Sequence, residues 1–140
     1  MEKRNLGNTG TKVGALGIGA MSFSDFYGPT NTQESHAILK MALDNGINHI
    51  DTAKVYGMGL SEERIGQFLN TLNPRDRQFF KIATKGGIDR KNFDDKGTVV
   101  FDNSKEFLTE ELNNSLKRLG VDCVELYYVH RREADRPIEE

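Results

Sequence analysis

The sequence predicts an α/β fold with a parallel sheet, and three observations carry that prediction. Apolar, strand-like segments start near Gly46, Phe79 and Cys123, and amphipathic helical patterns separate them. A shorter strand is predicted earlier, over 16–19. Strands that alternate with helices along a chain favour a parallel sheet with right-handed crossovers. We therefore expect four strand–helix units within a single domain, residues 1–140.

A glycine-rich turn precedes the first of these units. Residues 5–16 contain Gly7, Gly10 and Gly14, with Asn-Thr-Gly-Thr at 8–11 between short segments of mixed polarity. Such a pattern is typical of a β-hairpin. The sequence therefore predicts an N-terminal hairpin ahead of the parallel sheet.

Three segments have the periodicity of helices with one buried face. The first begins at Asn31, whose spacing to Glu34 predicts a capping box, and it ends at Gly46 in the left-handed position. The second starts near Ser61 with Glu62 and Glu63, and the third starts near Ser104 and ends at Gly120. The apolar positions expected to face the core are Ala37, Ile38, Met41 and Ala42, then Ile65, Phe68, Leu69 and Leu72, then Leu108, Leu112, Leu116 and Leu119.

Polar side chains that can carry chemistry stand where three of the predicted strands end. Asp51 follows the segment 46–50, with Tyr56 in the loop after it, Lys85 follows the segment 79–84, and His130 follows the segment that starts at Cys123. The carboxyl ends of parallel strands meet at one face, where α/β proteins place their functional groups. We expect these four side chains to be neighbours.

An acid, a tyrosine, a lysine and a histidine in one place suit the reduction of a carbonyl group. A tyrosine hydroxyl donates a proton poorly at neutral pH unless a nearby positive charge stabilises the phenolate. Lys85 can supply that charge, and Asp51 can hold Lys85 protonated and in place. His130 can donate a second hydrogen bond to an oxygen that gains negative charge as hydride arrives at carbon.

The same four residues also admit a plain structural interpretation. Asp51 and Lys85 could form an ordinary salt bridge, while Tyr56 packs on a loop and His130 lies nearby by chance. Their placement at successive strand ends favours the active-site interpretation.

Several stretches of the chain closely resemble the aldo-keto reductase family. They are Asp51-Thr52-Ala53, Val55-Tyr56-Gly57, Ala83-Thr84-Lys85 and Tyr128-Val129-His130-Arg131, with further matches at 6–10, 16–21 and 115–120. The resemblance implies a (β/α)8 TIM barrel. A complete barrel of that kind takes about 250 residues, so we expect only about the first four β/α units here, in a domain truncated at its C-terminal side. Residues 137–140 have the pattern of a first helical turn.

The resemblance further implies an NADP-dependent oxidoreductase that reduces aldehydes or ketones to alcohols. It assigns Tyr56 as the general acid, Lys85 and Asp51 as the residues that tune it, and His130 as the residue that orients the carbonyl. It also implies that the cofactor, NADPH, contacts Asp51 and the segment Gly19, Ala20 and Met21. The chain has no Gly-x-Gly-x-x-Gly signature, but the family it resembles binds NADPH without one.

Loops beside these strand ends are candidates for the substrate pocket. The loop after the first strand contains Phe23, Phe26 and Tyr27, which could line a pocket or only anchor the loop. Residues 86–103 are predicted to form a long loop, and loops of that length are usually lids or mobile segments. The charged residues at its centre, 90–96, are interpreted as a solvated surface. The charged stretch 132–136 could also shape the pocket.

Lys54 departs from the family pattern, because an acidic or small residue is common at that position. If its side chain points inward, the ammonium could alter the behaviour of Tyr56 or the substrate preference. If it points outward, nothing follows.

Composition excludes several classes of function. A net charge of −2, a pI near 5.9 and scattered lysines and arginines give no basic surface for nucleic acid. No segment is apolar enough to span a bilayer or resembles a signal peptide. The single cysteine, Cys123, is expected to pack in the core, and a cytoplasmic setting is expected. His36 is expected to face solvent. His49 is expected to be packed, with no partner at metal-binding spacing.

Two other hypotheses compete with the reductase. The chain could be a catalytically inactive half-barrel that acts as an interaction or regulatory piece, since its outer strands would be open edges. A complete flavodoxin-like domain fits the length, but it needs a phosphate-binding loop that the sequence lacks.

Overall fold

The computed structural model describes residues 1–93, 98–137 and 139, apart from the side chains of 91–93. Its strands are β1 (Lys3–Asn5), β2 (Lys12–Gly14), β3 (Gly17–Gly19), β4 (His49–Asp51), β5 (Lys81–Gly86), β6 (Ile88–Phe93), β7 (Val99–Phe101) and β8 (Leu126–Val129). Its α-helices are α1 (Thr32–Asp44), α2 (Leu60–Asn70), α3 (Pro74–Phe79) and α4 (Lys105–Leu119). Two 3-10 turns cover Ala20–Ser24 and Tyr56–Gly59.

A four-stranded parallel sheet in the order β3-β4-β5-β8 organises the molecule. Ile50 pairs with Ile18 on one side and with Ile82 on the other, and Lys85 pairs with Tyr128. Strands β1 and β2 form a separate antiparallel hairpin. The parallel sheet and the N-terminal hairpin are both confirmed.

The core lies between the sheet and helices α1, α2 and α4. Its largest fully buried apolar side chains are those of Phe23, Leu39, Ile50, Ile65, Leu69 and Leu119. Helix α2 occupies the centre and packs on both α1 and α4. Its predicted apolar face is confirmed, with Ile65, Phe68 and Leu69 buried.

The helix ends follow the predicted signals. Asn31 accepts a hydrogen bond from the backbone N–H of Glu34, whose carboxylate accepts one from the backbone of Asn31. Gly46 has a φ of 74°, and Gly120 ends α4 with a φ of 67°. Both values lie in the left-handed region that glycine adopts without strain. The capping box and both glycine terminators are confirmed.

The strand starts predicted near Gly46, Phe79 and Cys123 were all placed too early, and β4 begins only at His49. Phe79 is the last residue of the short helix α3, which the cap of Asn73 on the backbone of Asp76 initiates. Strand β8 starts at Leu126, and Cys123 lies before it in an exposed position. The prediction of a buried thiol was therefore wrong. The apolar residues identified these segments correctly, but the residues just before each strand form turns or a short helix, so each strand starts later than predicted.

The predicted apolar stripes of α1 and α4 were partly wrong. On α1, Ile38 and Met41 are exposed, and Ser35 and Leu39 are buried together with Ala42. On α4 the buried residues are Glu111, Ser115 and Leu119, while the other leucines of the stripe are only half-buried. The face that each helix turns toward the core therefore differs from the predicted one, and it includes Ser35 on α1 and Glu111 and Ser115 on α4.

The two histidines outside the predicted site pack against backbone carbonyls. The His36 ring lies with Nε2 3.0 Å from the carbonyl oxygen of Arg64 and packs on Phe68, so the prediction that it faces solvent was wrong. The His49 ring lies with Nδ1 3.2 Å from the carbonyl oxygen of Lys81. His49 is therefore a packed histidine, as predicted.

The segment 86–103 is not a simple loop. Strands β6 and β7 pair antiparallel within it, with Ile88 opposite Phe101. Arg90 is exposed, as predicted for a solvated surface. The central charges of that prediction, Asp94, Asp95 and Lys96, lie outside the described residues, as do Ile138 and Glu140 of the predicted final helical turn.

Candidate active site

The parallel sheet brings the four predicted residues together at its carboxyl edge. Asp51 is the last residue of β4, Lys85 lies near the end of β5, and His130 directly follows β8. Tyr56 opens the 3-10 turn after β4, and its backbone N–H donates to the carbonyl of Ala53. Parallel pairing places these strand ends side by side.

Lys85 is the centre of this cluster. Its ammonium donates hydrogen bonds to the Asp51 carboxylate, to the carbonyl oxygen of Thr52 at 2.9 Å and to the Tyr56 hydroxyl at 3.2 Å. The Lys85 side chain is 14% exposed and that of Asp51 35% exposed. One ammonium thus joins a carboxylate to a phenol in a partly desolvated position, where charge interactions are stronger than in water.

His130 completes the cluster from the neighbouring strand. Its ring meets the Tyr56 ring edge-on, with centroids 5.8 Å apart. Burial, followed by the positive charges of Lys85 and Arg131, holds the pKa of His130 below its ordinary value of 6.5. The imidazole is therefore neutral at pH 7. Its Nδ1 is buried and has no hydrogen-bond partner among the described residues, so the ring retains unused capacity for a ligand or water.

Three of the four residues predicted to contact a cofactor lie at the end of β3, and the fourth, Asp51, ends β4. Gly19 is exposed and ends the strand, and Met21 is half-buried in the 3-10 turn that follows. Ala20 is fully buried, and its carbonyl accepts a hydrogen bond from the Ser61 hydroxyl. Gly19 and Met21 therefore have surface to offer a ligand, while Ala20 packs in the core.

A buried carboxylate behind the sheet was not predicted as a functional or structural centre. Glu62 is 0% exposed and accepts hydrogen bonds from the Thr84 hydroxyl at 2.6 Å and from Arg118 Nε at 2.7 Å. Glu62 was interpreted only as part of a helix start. Its spacing of three and seven residues before Ile65 and Leu69 puts it on the buried face of α2, and that signal could have revealed it.

Thr52 anchors the same region from behind. Its hydroxyl lies 2.9 Å from that of Ser61, which in turn donates to the carbonyl of Ala20. This chain of hydrogen bonds links the strand end beside Lys85 to α2 and to the turn after β3. The position of Asp51 is therefore tied to the adjacent elements.

The Lys54 side chain points neither toward Tyr56 nor into solvent, which were the two directions considered. Its side chain is buried against helix α4, with Nζ 2.8 Å from Glu111 Oε1, and both side chains are about one-tenth exposed. The ammonium is therefore behind the strand ends, on the helix side of the sheet.

The aromatic loop after β3 divides into a buried and an exposed part. Phe23 is 1% exposed and belongs to the core, whereas Phe26 and Tyr27 are exposed and pack on each other edge-on. Arg64 of α2 holds the loop by donating to the carbonyl oxygens of Phe23 at 2.6 Å and Thr30 at 3.2 Å. Phe23 therefore anchors the loop, and the two exposed rings are free to meet a ligand.

The charged loop after β8 is tied to the start of α4. The Glu133 carboxylate accepts a hydrogen bond from the backbone of Asn103, and the Asn103 side chain accepts one from the backbone of Glu133. The hydrogen bonds from Arg136 and Asn103 lower the pKa of Glu133. The segments before α4 and after β8 therefore form one rim.

A phenol in contact with an ammonium, beside a neutral imidazole, can deliver a proton to an oxygen that becomes negatively charged. That chemistry defines a class of proton-donating sites rather than one protein. The aldo/keto reductase family model matches residues 15–140. The chain belongs to the aldo/keto reductase family.

Curated relatives match nearly the whole chain. It is 37% identical over 136 residues to a Schizosaccharomyces pombe protein named as an NADP(+) aldo-keto reductase, covering 97% of this chain and 38% of the relative. It is 36% identical over 141 residues to the aldo-keto reductase YhdN of Bacillus subtilis, covering 100% of this chain and 41% of that protein. The chain thus spans about two-fifths of the length of these relatives.

Solved structures agree with the fold. The holo form of an aldo-keto reductase from Bacillus halodurans superposes with a TM-score of 0.82 at 36% identity, covering 100% of this chain and 43% of that one. A glycerol dehydrogenase from Gluconobacter oxydans gives a TM-score of 0.80 at 29% identity, covering 99% and 42%. The four parallel strands, preceded by the hairpin, correspond to about the first four β/α units of a TIM barrel. Within the described residues, none of the helices has the length and apolar character needed to cross a membrane.

Proposed function

We propose that this chain carries the proton-donating half of an NADPH-dependent carbonyl reductase active site. The observation that carries the proposal is the Lys85 ammonium, which contacts both the Asp51 carboxylate and the Tyr56 hydroxyl. Membership of the aldo/keto reductase family supports it, as does the NADP(+) in the name of the S. pombe relative. The substrate is an aldehyde or ketone and the product an alcohol.

Tyr56 is the general acid in this proposal. As the carbonyl carbon accepts hydride, its oxygen becomes negative and takes the phenolic proton, leaving a phenolate 3.2 Å from the Lys85 ammonium. The ammonium stabilises that phenolate, and Asp51 keeps the ammonium in place. The neutral imidazole of His130 donates a hydrogen bond to the same oxygen, and so orients the carbonyl toward Tyr56.

NADPH, when bound, supplies the hydride to the carbonyl carbon. Gly19 and Met21 at the end of β3, with Asp51 beside them, are the residues of this chain that would hold it. Two features favour the fit: Gly19 leaves open space where a Cβ would stand, and the half-buried Met21 offers an apolar surface. The exposed rings of Phe26 and Tyr27 would form an apolar wall for the substrate.

The first experiment is a titration of NADPH fluorescence with the 140-residue chain, together with its mass in solution. Saturable binding by a folded monomer would support a usable half-site. The next measurement is then the turnover of an aromatic aldehyde by the chain and by its Tyr56→Phe variant. We expect Tyr56→Phe to bind NADPH normally and to lose about 100-fold or more in rate. A folded chain that binds no NADPH would instead support the interaction-piece hypothesis.

The matched control for that variant is Tyr127→Phe. The Tyr127 hydroxyl donates to the carbonyl of Leu108 on the outer face of the sheet, so its loss alters stability and leaves the rate unchanged. Equal rates for Tyr56→Phe and the unaltered chain would contradict the role of Tyr56.

A further inference from the structure

The buried ion pair of Lys54 and Glu111 has no part in the chemistry above, although it lies directly behind it. Nζ and Oε1 are 2.8 Å apart, and the two side chains are 11% and 10% exposed. Lys54 stands three residues after Asp51 and two before Tyr56. Glu111 lies in the middle of α4, within a helix face where leucines were expected to be buried.

Burial of such a pair needs a reason other than stability. Removing two charges from water costs about as much as their attraction returns, and apolar residues of similar volume often stabilise a fold equally well. The pair here is not fully compensated, because Glu111 Oε2 is buried without a hydrogen-bond partner among the described residues. A pair of this kind is better suited to selecting one arrangement than to stabilising the fold.

The pair contacts two of the three segments that carry the candidate active-site residues. The backbone N–H of Lys54 donates to the carbonyl of Lys85 at 3.3 Å, which joins the turn before Tyr56 to the end of β5. Glu111 packs beneath the next residue of β5, since a Cβ built on Gly86 would lie 3.4 Å from the Glu111 Cβ. The ion pair thus clamps the β4 turn and the β5 end onto α4.

The contacts described above also hold the turn at two other points. Thr52 contacts Ser61 through its hydroxyl and accepts from Lys85 through its carbonyl, and the Tyr56 hydroxyl accepts a hydrogen bond from Lys85. Thr52 fixes the start of the turn, next to Asp51. Lys54 fixes its end, next to Val55 and Tyr56. Without the ion pair, the residues just before Tyr56 lose their side-chain anchor to α4. The hydrogen bond from Lys85 is then left to hold the Tyr56 hydroxyl, and the ring can shift from its place against His130.

We propose that Lys54 and Glu111 are positioning residues that hold the Tyr56 ring against Lys85 and His130 by clamping its turn to helix α4. The competing interpretation is that the pair only docks α4 on the sheet. The expected effect on catalysis rests on the proposed function, whereas the expected effect on the position of the Tyr56 ring does not.

The decisive variant is the pair replacement Lys54→Met with Glu111→Leu in the 140-residue chain. It removes both charges and leaves no buried charge unpaired, so it keeps the fold even where Lys54→Met alone unfolds the protein. The readout is the NMR cross-peak between the Tyr56 and His130 rings, assigned with Tyr56→Phe, alongside the thermal unfolding midpoint. We expect the cross-peak to weaken or vanish while the midpoint stays close to that of the unaltered chain.

The matched control is another ion pair on β5, at the opposite end of the strand. Lys81 Nζ lies 3.3 Å from Glu125 Oε1, and the replacement Lys81→Met with Glu125→Leu should keep the Tyr56 to His130 cross-peak. Lys54→Arg, which preserves the charge pair, should also keep it. An undiminished cross-peak in the Lys54→Met and Glu111→Leu chain would overturn the proposal, as would its absence from the unaltered chain.

Turnover provides the second readout. If the chain reduces a carbonyl, the pair replacement should lower kcat about 10- to 100-fold, because a misplacement near 1 Å can cost that much, and leave KM and NADPH binding unchanged. If the chain binds no NADPH, the proposed function is contradicted, but the cross-peak between the Tyr56 and His130 rings still tests whether the ion pair positions Tyr56. The two failures are therefore distinguishable.

Discussion

Lys85 and Tyr56 approach each other in two ways at once. The ammonium lies 3.2 Å from the phenolic oxygen and 5.0 Å from the centroid of the ring. A cation so placed is attracted by the face of the ring in the neutral phenol, and by the oxygen far more strongly once the proton has left. The contact therefore favours the charge that proton donation would create.

Replacing Lys85 by Met should lower the rate of carbonyl reduction about 100-fold or more, since the phenolate would lose its positive neighbour. NADPH binding and the circular dichroism spectrum should change little. Steady-state kinetics on the 140-residue chain and the variant measure this. Lys81→Met, at the other end of β5, is the control and should retain the rate. A Lys85→Met chain as active as that control would exclude Lys85 from the chemistry.

His130 should make the stability of the chain depend on pH in a defined direction. Its pKa in the folded state is lower than the value near 6.5 in the unfolded state, because of burial and of the charges of Lys85 and Arg131. As pH falls below about 6.5 the unfolded chain binds a proton that the folded chain resists, so the free energy of unfolding decreases.

Urea denaturation of the chain and of His130→Gln between pH 5 and 7.5, a range around the unfolded value near 6.5, tests that sign. Above the unfolded-state pKa near 6.5, the difference in free energy of unfolding between the two proteins should no longer change with pH. Below it, the unaltered chain should become progressively less stable relative to His130→Gln. An NMR titration of the His130 ring provides an independent reading. A folded-state pKa at or above 6.5 would contradict the prediction.

Breaking the buried contact between Arg118 and Glu62 should be costly. Glu62 is fully buried and takes its only charged hydrogen bond from Arg118 Nε at 2.7 Å among the described contacts. Arg118→Met leaves a buried carboxylate without its cation, which typically costs about 3–5 kcal/mol. Adding Glu62→Gln should recover part of the loss, because the amide is neutral. Equal stabilities of the single and double variants would show that the charge is not responsible.

Gly66 should not tolerate a side chain. It lies in α2 where α4 crosses, and a Cβ built there would clash with the carbonyl oxygen of Arg118. Gly66→Ala should therefore destabilise the chain by about 1–3 kcal/mol through overpacking, although alanine is the better helix former. Gln67→Ala, on the exposed side of the same helix, should stabilise it slightly. Thermal unfolding of both variants checks the contrast, and a stabilised Gly66→Ala chain would refute it.

The elements were predictable because their signals are local. The capping box at Asn31, the glycine after α4 and the spacing of Ile65, Phe68 and Leu69 are all read within a few residues. The gathering of Asp51, Tyr56, Lys85 and His130 was predictable for a similar reason, since strand–helix alternation by itself places successive strand ends at one edge.

The buried polar contacts were not predictable from local signals. Glu111 and Lys54 look like surface residues in sequence. The spacing of Glu62 to Ile65 and Leu69 indicates its buried face but does not identify its partner. Each of the three is paired with a residue from a distant element. The same limit explains the errors on α1 and at Cys123, where burial depends on what packs against the segment.

The sequence alone determined the order and kind of elements, the parallel sheet and the identity of the strand-end residues, because hydrophobic periodicity and turn chemistry act over short range. Only the tertiary structure decided that Glu62 pairs with Arg118 and Lys54 with Glu111, and which way each helix turns. Those outcomes follow from desolvation, which forces every buried charge to find a partner, and the partners of Glu62 and Lys54 lie more than fifty residues away along the chain.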